Sequence, residues 1–366
     1  MKNIAIIGAG MAGVAAARTL EKAGHAVQIF EKSRGAGGRM STRESSCGSF
    51  DHGTQYFTIR DPRFEKAINE VPGTTEICRP WSTNAVRVLD ELGRVIEAAM
   101  PPREKHFVAV PGMSSLLTHW IKPLVDLGRV HYNSQVMCIE SVQTGHNPNN
   151  AQSMTWTVHA QQGERVLPFS NFDAVLFAVP NPQCRALIEH STLQKLIHTE
   201  LLSSLHAIKH QIDVVTTDPC WTLMVGYPQA SQPGISHLGP QWNAAKSTHH
   251  RISWLARESS KPGKSHIERW TVQAGTKWSR EHLEDDPARV KAKLMRAFSE
   301  LTGIRVEPTH SAVHRWRYAK TQTPLGQPYL WTQEARVGTC GDWHIGHRVE
   351  DAFISGLSLA LRIAEA

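Results

Sequence analysis

The 366-residue sequence contains no apolar run long enough to span a bilayer, and its six cysteines include no CxxC pair. The scattered thiols disfavour a disulfide framework, and the histidines show no HExxH spacing that would indicate a metal site. We therefore expect reduced, structural thiols, no metal and no membrane association. The chain enters an apolar strand almost at once, so we expect a cytoplasmic protein without a signal peptide.

An excess of positive charge is confined to one segment. The formal net charge is +7, and residues 181–330 contain 19 Lys and Arg against 12 Asp and Glu. The remaining residues have 21 of each sign. Such a segment suits an anionic small substrate, a nucleic acid or a membrane surface, and a solvated face is the plain alternative. We expect a small-molecule substrate as the partner, and neither a membrane nor a nucleic acid.

A glycine-rich turn follows the first apolar segment. The stretch KNIAIIGAGMAGVAAARTL predicts a buried strand over Lys2–Ile7 and a helix over Met11–Lys22. Between and within them, Gly8 permits a tight turn, Gly10 lets the backbone approach a pyrophosphate, and Gly13 lets helix and strand pack closely. The free N–H groups at the start of such a helix bind phosphate.

An acidic residue follows the second apolar segment at the distance that a dinucleotide site requires. Ala26–Phe30 predicts a strand, and Glu31 comes about twenty residues after the glycines, where a carboxylate meets a ribose hydroxyl pair. A cleaved signal peptide or simple small-residue packing does not account for strand, helix and acid together. The pattern therefore indicates a dinucleotide-binding domain of Rossmann type.

A second glycine-rich loop, KSRGAGGRMSTR, comes directly after Glu31. It resembles the GG-R loop of the glutathione-reductase and amine-oxidase families of FAD enzymes, in which the arginine and nearby backbone lie beside the FAD pyrophosphate. The corresponding arginine in this sequence is Arg39. The resemblance implies FAD as the cofactor.

A narrower resemblance extends along the whole chain. The stretches FDHGTQYFTIRDPRF, VPGMSSL, DAVLFAVP, SWLARESSKPG, HRWRYA and GTCGDWHIGHRVEDAFISGLSLA are similar, in this order, to the bacterial renalase-like FAD oxidoreductases, relatives of the monoamine oxidase fold. This resemblance implies non-covalent FAD and oxidation of 2- or 6-dihydro-NAD(P) to NAD(P). It also implies that molecular oxygen accepts the electrons and yields hydrogen peroxide.

The resemblance adds cofactor contacts at the C-terminal end. It implies that Asp342 lies beside the ribityl chain and that the backbone of Arg348–Ala352 approaches the flavin ring at the start of the last helix, whose dipole favours negative charge there. The expected FAD-binding residues are Gly8, Gly10, Met11, Ala12, Gly13, Glu31, Lys32, Gly38, Arg39, Met40, Val136, Gly341, Asp342, Arg348, Val349 and Ala352.

Few side chains are expected near the reacting atoms, because hydride transfer from a dihydropyridine to a flavin requires positioning rather than acid–base chemistry. From the DHGTQYF and HRWRYA motifs we place Gln55, Tyr56 and Trp316 there as candidate catalytic residues. The indole of Trp316 is suited to stacking on a nicotinamide ring. Ordinary core packing is the alternative for each of the three.

Interrupted motifs predict the domain organisation. We expect an α/β fold whose Rossmann-type FAD-binding domain is assembled from residues 1–60, 104–180 and 331–366. Residues 61–103 and 181–330 are expected to form a mixed-sheet α+β substrate domain of amine-oxidase type. The stretch GHNPNNAQS predicts an exposed hairpin loop.

Three functions remain open from the sequence. The first is an FAD oxidase of dihydro-NAD(P), in which the basic segment would bind the substrate's phosphates. The alternative is a flavin-containing amine oxidase, although Trp343 has no evident partner for the aromatic pair that frames an amine in that family. The third is an FAD-bearing binding protein, for example for nucleic acid.

Overall fold

The computed structural model describes residues 1–81, 86–97, 104–144, 153–231 and 238–365. The predicted hairpin loop GHNPNNAQS falls almost entirely on residues 145–152 and so lies outside the described residues. Within the described ranges, no helix combines the length and the apolar character that a membrane span needs. All six cysteines are described, and all are free thiols.

The strands and helices are numbered in chain order. The strands are β1 Asn3–Ile7, β2 Ala26–Phe30, β3 Thr42–Arg43, β4 Phe50–Asp51, β5 Cys78–Pro80, β6 Arg87–Leu89, β7 Val95–Glu97, β8 Phe107–Ala109, β9 Val130–His131, β10 Gln135–Thr144, β11 Ser153–Gln162, β12 Arg165–Phe172, β13 Ala174–Phe177, β14 Thr216–Tyr227, β15 Ala244–Ser247, β16 Ile252–Arg257, β17 Glu268–Ala274, β18 His310–Thr323, β19 Leu330–Thr332 and β20 Val337–Thr339. The α-helices are α1 Met11–Lys22, α2 Pro62–Glu70, α3 Thr74–Ile77, α4 Ser115–Asp126, α5 Asn181–Leu193, α6 Thr199–Ile212, α7 Thr276–Glu281, α8 Pro287–Thr302 and α9 Val349–Ala364.

The chain divides into two compact units, of which unit 1 comprises Met1–Gly38, Leu117–Thr216 and Thr321–Ala366. Its main sheet has the strand order β19–β20–β13–β1–β2–β9, and β1 pairs in parallel with both β13 and β2. β1 is buried from its second residue onward, as a continuous apolar run in a covered parallel sheet should be. The predicted strand–helix–strand start of the chain is confirmed.

Unit 1 also contains an antiparallel sheet with the order β10–β11–β12. Its residues Val136, Trp156 and Phe172 belong to the same apolar cluster as Ile7 and Phe30 of the parallel sheet. Burial of apolar surface between the two sheets therefore stabilises both of them together.

Unit 2 comprises Arg39–Leu116 and Thr217–Lys320. Its main sheet has the order β18–β14–β17–β16–β15–β6–β7. The sheet is mixed, because β15 pairs in parallel with β6, whereas β14–β17, β17–β16, β16–β15 and β6–β7 are antiparallel pairs. Residues Val290, Leu294 and Phe298 recur at helical spacing on α8 and pack in one cluster with Trp270 of the sheet. An α/β, Rossmann-type fold with a mixed sheet is thus confirmed.

The compact units group the chain differently from the ranges expected from the motifs. Residues 39–60 and 104–116 group with unit 2, and residues 181–216 and 321–330 group with unit 1. Compactness follows packing rather than motif order: Phe50, for example, packs with Met224 of β14. The division into cofactor and substrate domains by function stays a prediction.

Candidate functional site

Three glycines shape the turn between β1 and α1 in unit 1. Gly8 has a φ of +109°, and a Cβ there would lie 2.7 Å from the carbonyl oxygen of Ala178. A Cβ at Gly13 would lie 2.0 Å from the carbonyl oxygen of Gly8, so no side chain fits between helix and turn. At Gly10, by contrast, a Cβ would meet no atom of the described residues within 4 Å apart from its own chain neighbours. Packing therefore requires glycine at 8 and 13, whereas position 10 faces open space.

Helix α1 begins at this open space without a side-chain cap. Gly10 is the N-cap in an extended conformation, no side chain caps the described first turn, and that turn contains no acidic residue. Met11 and Ala12 are buried. The first N–H groups of an uncapped helix lack helical partners and carry partial positive charge, which suits an anionic group.

The Glu31 carboxylate lies at the end of β2 and is 6% exposed. Its Oε2 accepts a hydrogen bond from the Ala9 N–H at 2.8 Å, and its Oε1 accepts one from the Ser33 N–H at 2.8 Å. A carboxylate has about four acceptor positions, so these bonds fix it beside the glycine turn and leave capacity for a hydroxyl donor. Its neighbour Lys32 is exposed.

The second glycine-rich loop reaches the first glycine turn. The Gly37 N–H donates to the carbonyl oxygen of Ala9 at 3.1 Å. Gly38 has a φ of +53°, and a Cβ there would lie 3.3 Å from the Cα of Gly10. Unit 1 therefore brings the two glycine stretches of the sequence together at Gly10.

The next two predicted residues, Arg39 and Met40, belong to unit 2. The Arg39 carbonyl oxygen accepts a hydrogen bond from the Thr54 N–H at 2.8 Å. The Arg39 Nη1 donates to the carbonyl oxygen of Ala319 at 3.4 Å. Met40 is buried. These contacts hold the residue after the glycine loop against the DHGTQYF segment.

The C-terminal candidates lie where β20 leads into α9 in unit 1. Asp342 is buried beside Gly341, and the exposed Arg348 is the N-cap of α9. The Asp351 Oδ2 accepts a hydrogen bond from the Arg348 N–H at 2.9 Å. Val349 and Ala352 are half-buried in the first turn of the helix.

Helix α9 packs closely on α1. A Cβ at Gly356 would lie 2.1 Å from the carbonyl oxygen of Ala12, so only glycine permits this approach. Val136 is buried in the same apolar cluster as Trp343, which follows Asp342. Unit 1 thus contains predicted cofactor residues from distant parts of the chain, and the packing of α9 on α1 joins two of these parts.

These residues fit an FAD-type dinucleotide. The open space at Gly10, the uncapped start of α1 and the fixed carboxylate of Glu31 match, in order, a close backbone approach, a phosphate and a ribose. The residues that would hold the pyrophosphate are the backbone groups around Gly10 and Met11, and Glu31 would hold the ribose.

In unit 2, the Gln55 side chain is fully engaged by protein groups. Its Nε2 donates to the carbonyl oxygens of Asp51 and Gly53, the latter at 3.1 Å. Its Oε1 lies 3.4 Å from the Lys261 Nζ, which donates to it. These contacts orient the amide inward and hold the turn of the DHGTQYF segment in one conformation.

Beneath Gln55 lies a group of four buried charged residues that the sequence did not reveal, here called the buried charge quartet: Asp51, Glu258, Lys261 and Lys264. The side chains are 0–1% exposed. Lys261 lies 3.1 Å from Asp51 and 2.9 Å from Glu258, and Lys264 lies 2.8 Å and 2.6 Å from the same two carboxylates. Two positive and two negative charges therefore neutralise one another.

The buried charge quartet shifts the pKa of two of its members, Asp51 and Lys264. Burial alone would raise the pKa of Asp51, but Lys261 and Lys264 outweigh it and hold that pKa far below its ordinary value. Burial alone would lower the pKa of Lys264, and the carboxylates of Glu258 and Asp51 outweigh it and raise that pKa. Asp51 and Lys264 therefore stay charged at neutral pH. The only trace in the sequence is ESSKPGK, with one acid and two lysines at close spacing.

Three aromatic rings, here called the ring cluster, form a group beside this segment: His52, His314 and Trp316. The Trp316 Nε1 donates to the His52 carbonyl oxygen at 2.9 Å, and the Trp316 and His52 rings stack at 5.1 Å between centroids. The His314 ring lies 4.4 Å from Trp316 and 4.7 Å from His52, edge-on to the latter. Trp316 is thereby fixed next to the segment that contains Gln55.

The two histidines of the ring cluster are neutral at pH 7. Burial, His314 and Arg43 lower the pKa of His52 to about 4, and burial and Arg43 lower the pKa of His314 to about 4. The buried Nδ1 of His52 has no hydrogen-bond partner among the described residues. A buried polar atom in this condition is unusual and marks a candidate functional position.

The ring of Tyr56 contacts residues outside the ring cluster. Its ring stacks on His106 at 4.0 Å between centroids and lies 5.8 Å from Trp254. The structure therefore brings Gln55 and Trp316 to one segment, while the ring of Tyr56 packs elsewhere. The roles of all three residues in catalysis stay predictions.

Two family models match the chain. One, described as an NAD(P)-binding Rossmann-like domain, matches residues 6–71, and the other, described as flavin containing amine oxidoreductase, matches residues 98–364. A curated 4,4'-diapophytoene desaturase of Staphylococcus haemolyticus is 43% identical over 120 residues. That match covers 29% of this chain and only 24% of the desaturase.

Solved structures share the fold over essentially the whole chain. A putative protoporphyrinogen oxidase from Exiguobacterium sp. 255-15 superposes with a TM-score of 0.70 at 13% identity, covering 100% of this chain and 99% of that one. Cyclohexylamine oxidase from Brevibacterium oxydans IH-35A gives a TM-score of 0.64 at 13% identity with the same coverage. At such identities the likeness establishes the architecture alone.

Proposed function

We propose a dihydronicotinamide substrate for this chain, which belongs to the flavin containing amine oxidoreductase family and is an FAD-dependent oxidoreductase. The proposed reaction converts 2- or 6-dihydro-NAD(P), molecular oxygen and one proton into NAD(P)⁺ and hydrogen peroxide. FAD, when bound, supplies the hydride acceptor and returns the electrons to oxygen. The cytoplasm is the proposed location.

The observation that carries this proposal is the charge balance around Trp316. Asp51 is the carboxylate next to the ring cluster, and two lysine ammonium groups already neutralise it. An amine substrate arrives as an ammonium cation, which an indole face attracts but a nearby positive charge repels. Here the nearby rings are neutral imidazoles and an indole, and the neighbouring charge is the cation Arg43. This environment favours a neutral dihydropyridine ring on an anionic dinucleotide.

The proposed roles of the candidate residues follow from their contacts. We assign Trp316 the contact with the substrate ring. The hydrogen bond from its Nε1 to the His52 carbonyl oxygen holds the indole in one position for stacking. Gln55 acts as a positioning residue, because its amide is bonded to Asp51, Gly53 and Lys261. Tyr56 contributes to the substrate wall through its stack on His106.

For the cofactor, we propose that the predicted set binds FAD, with the glycine turn and Glu31 as its principal contacts. The functional ranges 1–60, 104–180 and 331–366 for FAD and 61–103 and 181–330 for substrate belong to the same proposal. Support comes from the open space at Gly10 and from the two backbone bonds that fix Glu31.

Amine oxidation is the alternative function. The family description favours it. Structures described as cyclohexylamine oxidase and as putrescine oxidase bound to putrescine share the fold. Against it stands the neutralised state of Asp51 and Glu258, which leaves the quartet without a free negative charge for an ammonium group.

An anaerobic stopped-flow experiment with the FAD-loaded protein separates the two functions. We expect 2- or 6-dihydro-NAD(P) to bleach the flavin absorbance within seconds, with cyclohexylamine and putrescine leaving it unchanged. Trp316→Ala should slow bleaching by about tenfold or more, while Trp331→Ala, a tryptophan on β19 of unit 1, should not. Bleaching by the amines and not by the dihydropyridines would overturn the proposal.

A further inference from the structure

An unpaired arginine lies beside the histidines of unit 2. Arg43 on β3 pairs across the ladder with Phe50 on β4, and the Phe50 ring stacks on His310 at 5.5 Å between centroids. Arg43 is exposed and makes no ion pair with any residue in the described part of the chain. His310 and His314 both come from β18, and their even spacing puts them on the same face of that strand.

The other face of β18 shows the contrast. Arg315 and Arg317 alternate with His314 and Trp316, and both arginines bind the Glu284 carboxylate. Each of these arginines therefore has an ion-pair partner, although the two share one carboxylate. On the histidine face, Asp51, which precedes His52 in the chain, is already held by Lys261 and Lys264. Of Arg43, Arg315 and Arg317, only Arg43 is therefore without an ion-pair partner in the described part of the chain.

The histidines on the Arg43 side have lowered pKa values, which a bound anion would raise. Burial and Arg43 lower the pKa of His310, and the same two causes lower the pKa of His314 to about 4. His52, which faces His314, Arg43 and Asp51, has a buried Nδ1 without a partner. The Arg43 side therefore combines the free guanidinium of Arg43 with the half-buried imidazoles of His310 and His314. It also includes the unsatisfied buried Nδ1 of His52.

We infer that Arg43, His310 and His314 form a subsite for the pyrophosphate of a dinucleotide substrate. The inference rests on the proposed function, since it assigns the substrate's phosphates to a place. A guanidinium presents paired N–H donors that match phosphate oxygens, and imidazoles add further donors. The negative charge of the ligand favours the protonated imidazoles, so binding takes up protons and tightens as pH falls.

The test uses ADP-ribose, which contains the pyrophosphate and no nicotinamide, titrated calorimetrically into the FAD-loaded protein. Two buffers of different ionisation enthalpy report proton uptake. We expect Arg43→Ala to weaken binding by at least about tenfold, as expected for a lost charge-assisted contact of about 1.4 kcal/mol or more. Arg317→Ala removes the same charge from the opposite face of β18 and should change affinity less than twofold. His314→Asn should reduce the proton uptake.

Equal effects of Arg43→Ala and Arg317→Ala, or binding of wild type without proton uptake, would overturn the subsite. Inorganic phosphate is the second probe: if it binds as tightly as ADP-ribose, the site is a general anion site and the dinucleotide assignment fails. If ADP-ribose binds through Arg43 but dihydro-NAD(P) does not bleach the flavin, the subsite stands and the proposed reaction fails. The two proposals are therefore separable.

Discussion

Lys261 Nζ lies 3.1 Å from Asp51 Oδ2, and both side chains are completely enclosed by the protein. The same ammonium group also contacts Glu258 and the Gln55 amide oxygen. Enclosed charges pay a large desolvation cost, which only complete pairing offsets. The quartet therefore links the Asp51–Gln55 segment to the Glu258–Lys264 segment, and its balance should be sensitive to the loss of any one charge.

We expect Lys261→Met to lower the free energy of unfolding by about 3–5 kcal/mol, because one buried carboxylate then lacks a counter-charge. Urea denaturation followed by tryptophan fluorescence measures this. Lys66→Met, which removes an exposed pair with Glu70, should have no measurable effect. The double variant Asp51→Asn/Lys261→Met restores neutrality and should recover more than half of the loss. Simple additivity of the two single changes would contradict the pairing argument.

Glu31 should contribute to FAD retention through its charge. We expect Glu31→Gln to raise the Kd for FAD by about tenfold, because a charge-assisted hydrogen bond contributes about 1.5–3 kcal/mol. Recovery of flavin fluorescence on dilution of the holoprotein measures the Kd. Glu21→Gln changes an exposed carboxylate at the end of α1 and is the control. Equal retention in both variants would remove the ribose contact from the proposed site.

The glycine turn offers a test that separates folding from cofactor binding. Gly10→Ala should fold with nearly unchanged stability, because apart from its chain neighbours no described atom lies within 4 Å of the new Cβ, yet it should weaken FAD binding by about tenfold or more. Gly13→Ala should destabilise the protein by about 1–3 kcal/mol, because its Cβ would lie 2.0 Å from the Gly8 carbonyl oxygen. Thermal unfolding of the apoprotein and FAD titration give the two quantities. The same loss pattern in both variants would contradict the assignment of position 10 to the ligand.

Local features of this fold were predictable from the sequence, because they depend on neighbours in the chain. Strand β1, helix α1 and Glu31 follow from hydrophobic spacing and a fixed interval, and the structure has α1 at Met11–Lys22 as predicted. The quartet was not predictable, since Asp51 and Lys261 are 210 residues apart and only the folded sheet brings them together. The contact of Trp316 with His52 spans 264 residues and was hidden for the same reason.

The division of the chain into compact units could not be predicted from the motifs either. The DHGTQYF segment follows a glycine loop of FAD type, which suggested one continuous cofactor region through residue 60. Phe50, however, packs with Met224 and Cys47, and Arg269 donates to the Cys47 carbonyl oxygen at 2.9 Å. Motifs indicate where a ligand is expected, whereas apolar burial between distant segments determines which residues form a compact unit.

Acid should destabilise the protein partly through His344. This imidazole is enclosed, with its Nδ1 3.1 Å from the Gln327 carbonyl oxygen and its Nε2 3.0 Å from the Thr339 Oγ1. Since a carbonyl only accepts, Nδ1 is the donor and Nε2 accepts from the threonine hydroxyl. Burial lowers the pKa of His344 to about 3. The native imidazole therefore stays neutral at pH values where the unfolded one is protonated.

Because the unfolded state binds the extra proton, the contribution of His344 to stability is complete above about pH 6.5 and is lost as pH falls towards 3. We expect His344→Gln to flatten the dependence of unfolding free energy on pH between about 6 and 4, by at most about 1.4 kcal/mol per pH unit. Urea denaturation at several pH values measures the slope. His206→Gln, at an exposed position on α6, should leave the slope unchanged. If both variants keep the wild-type slope, His344 is not a source of acid sensitivity, whatever its effect on stability at pH 7.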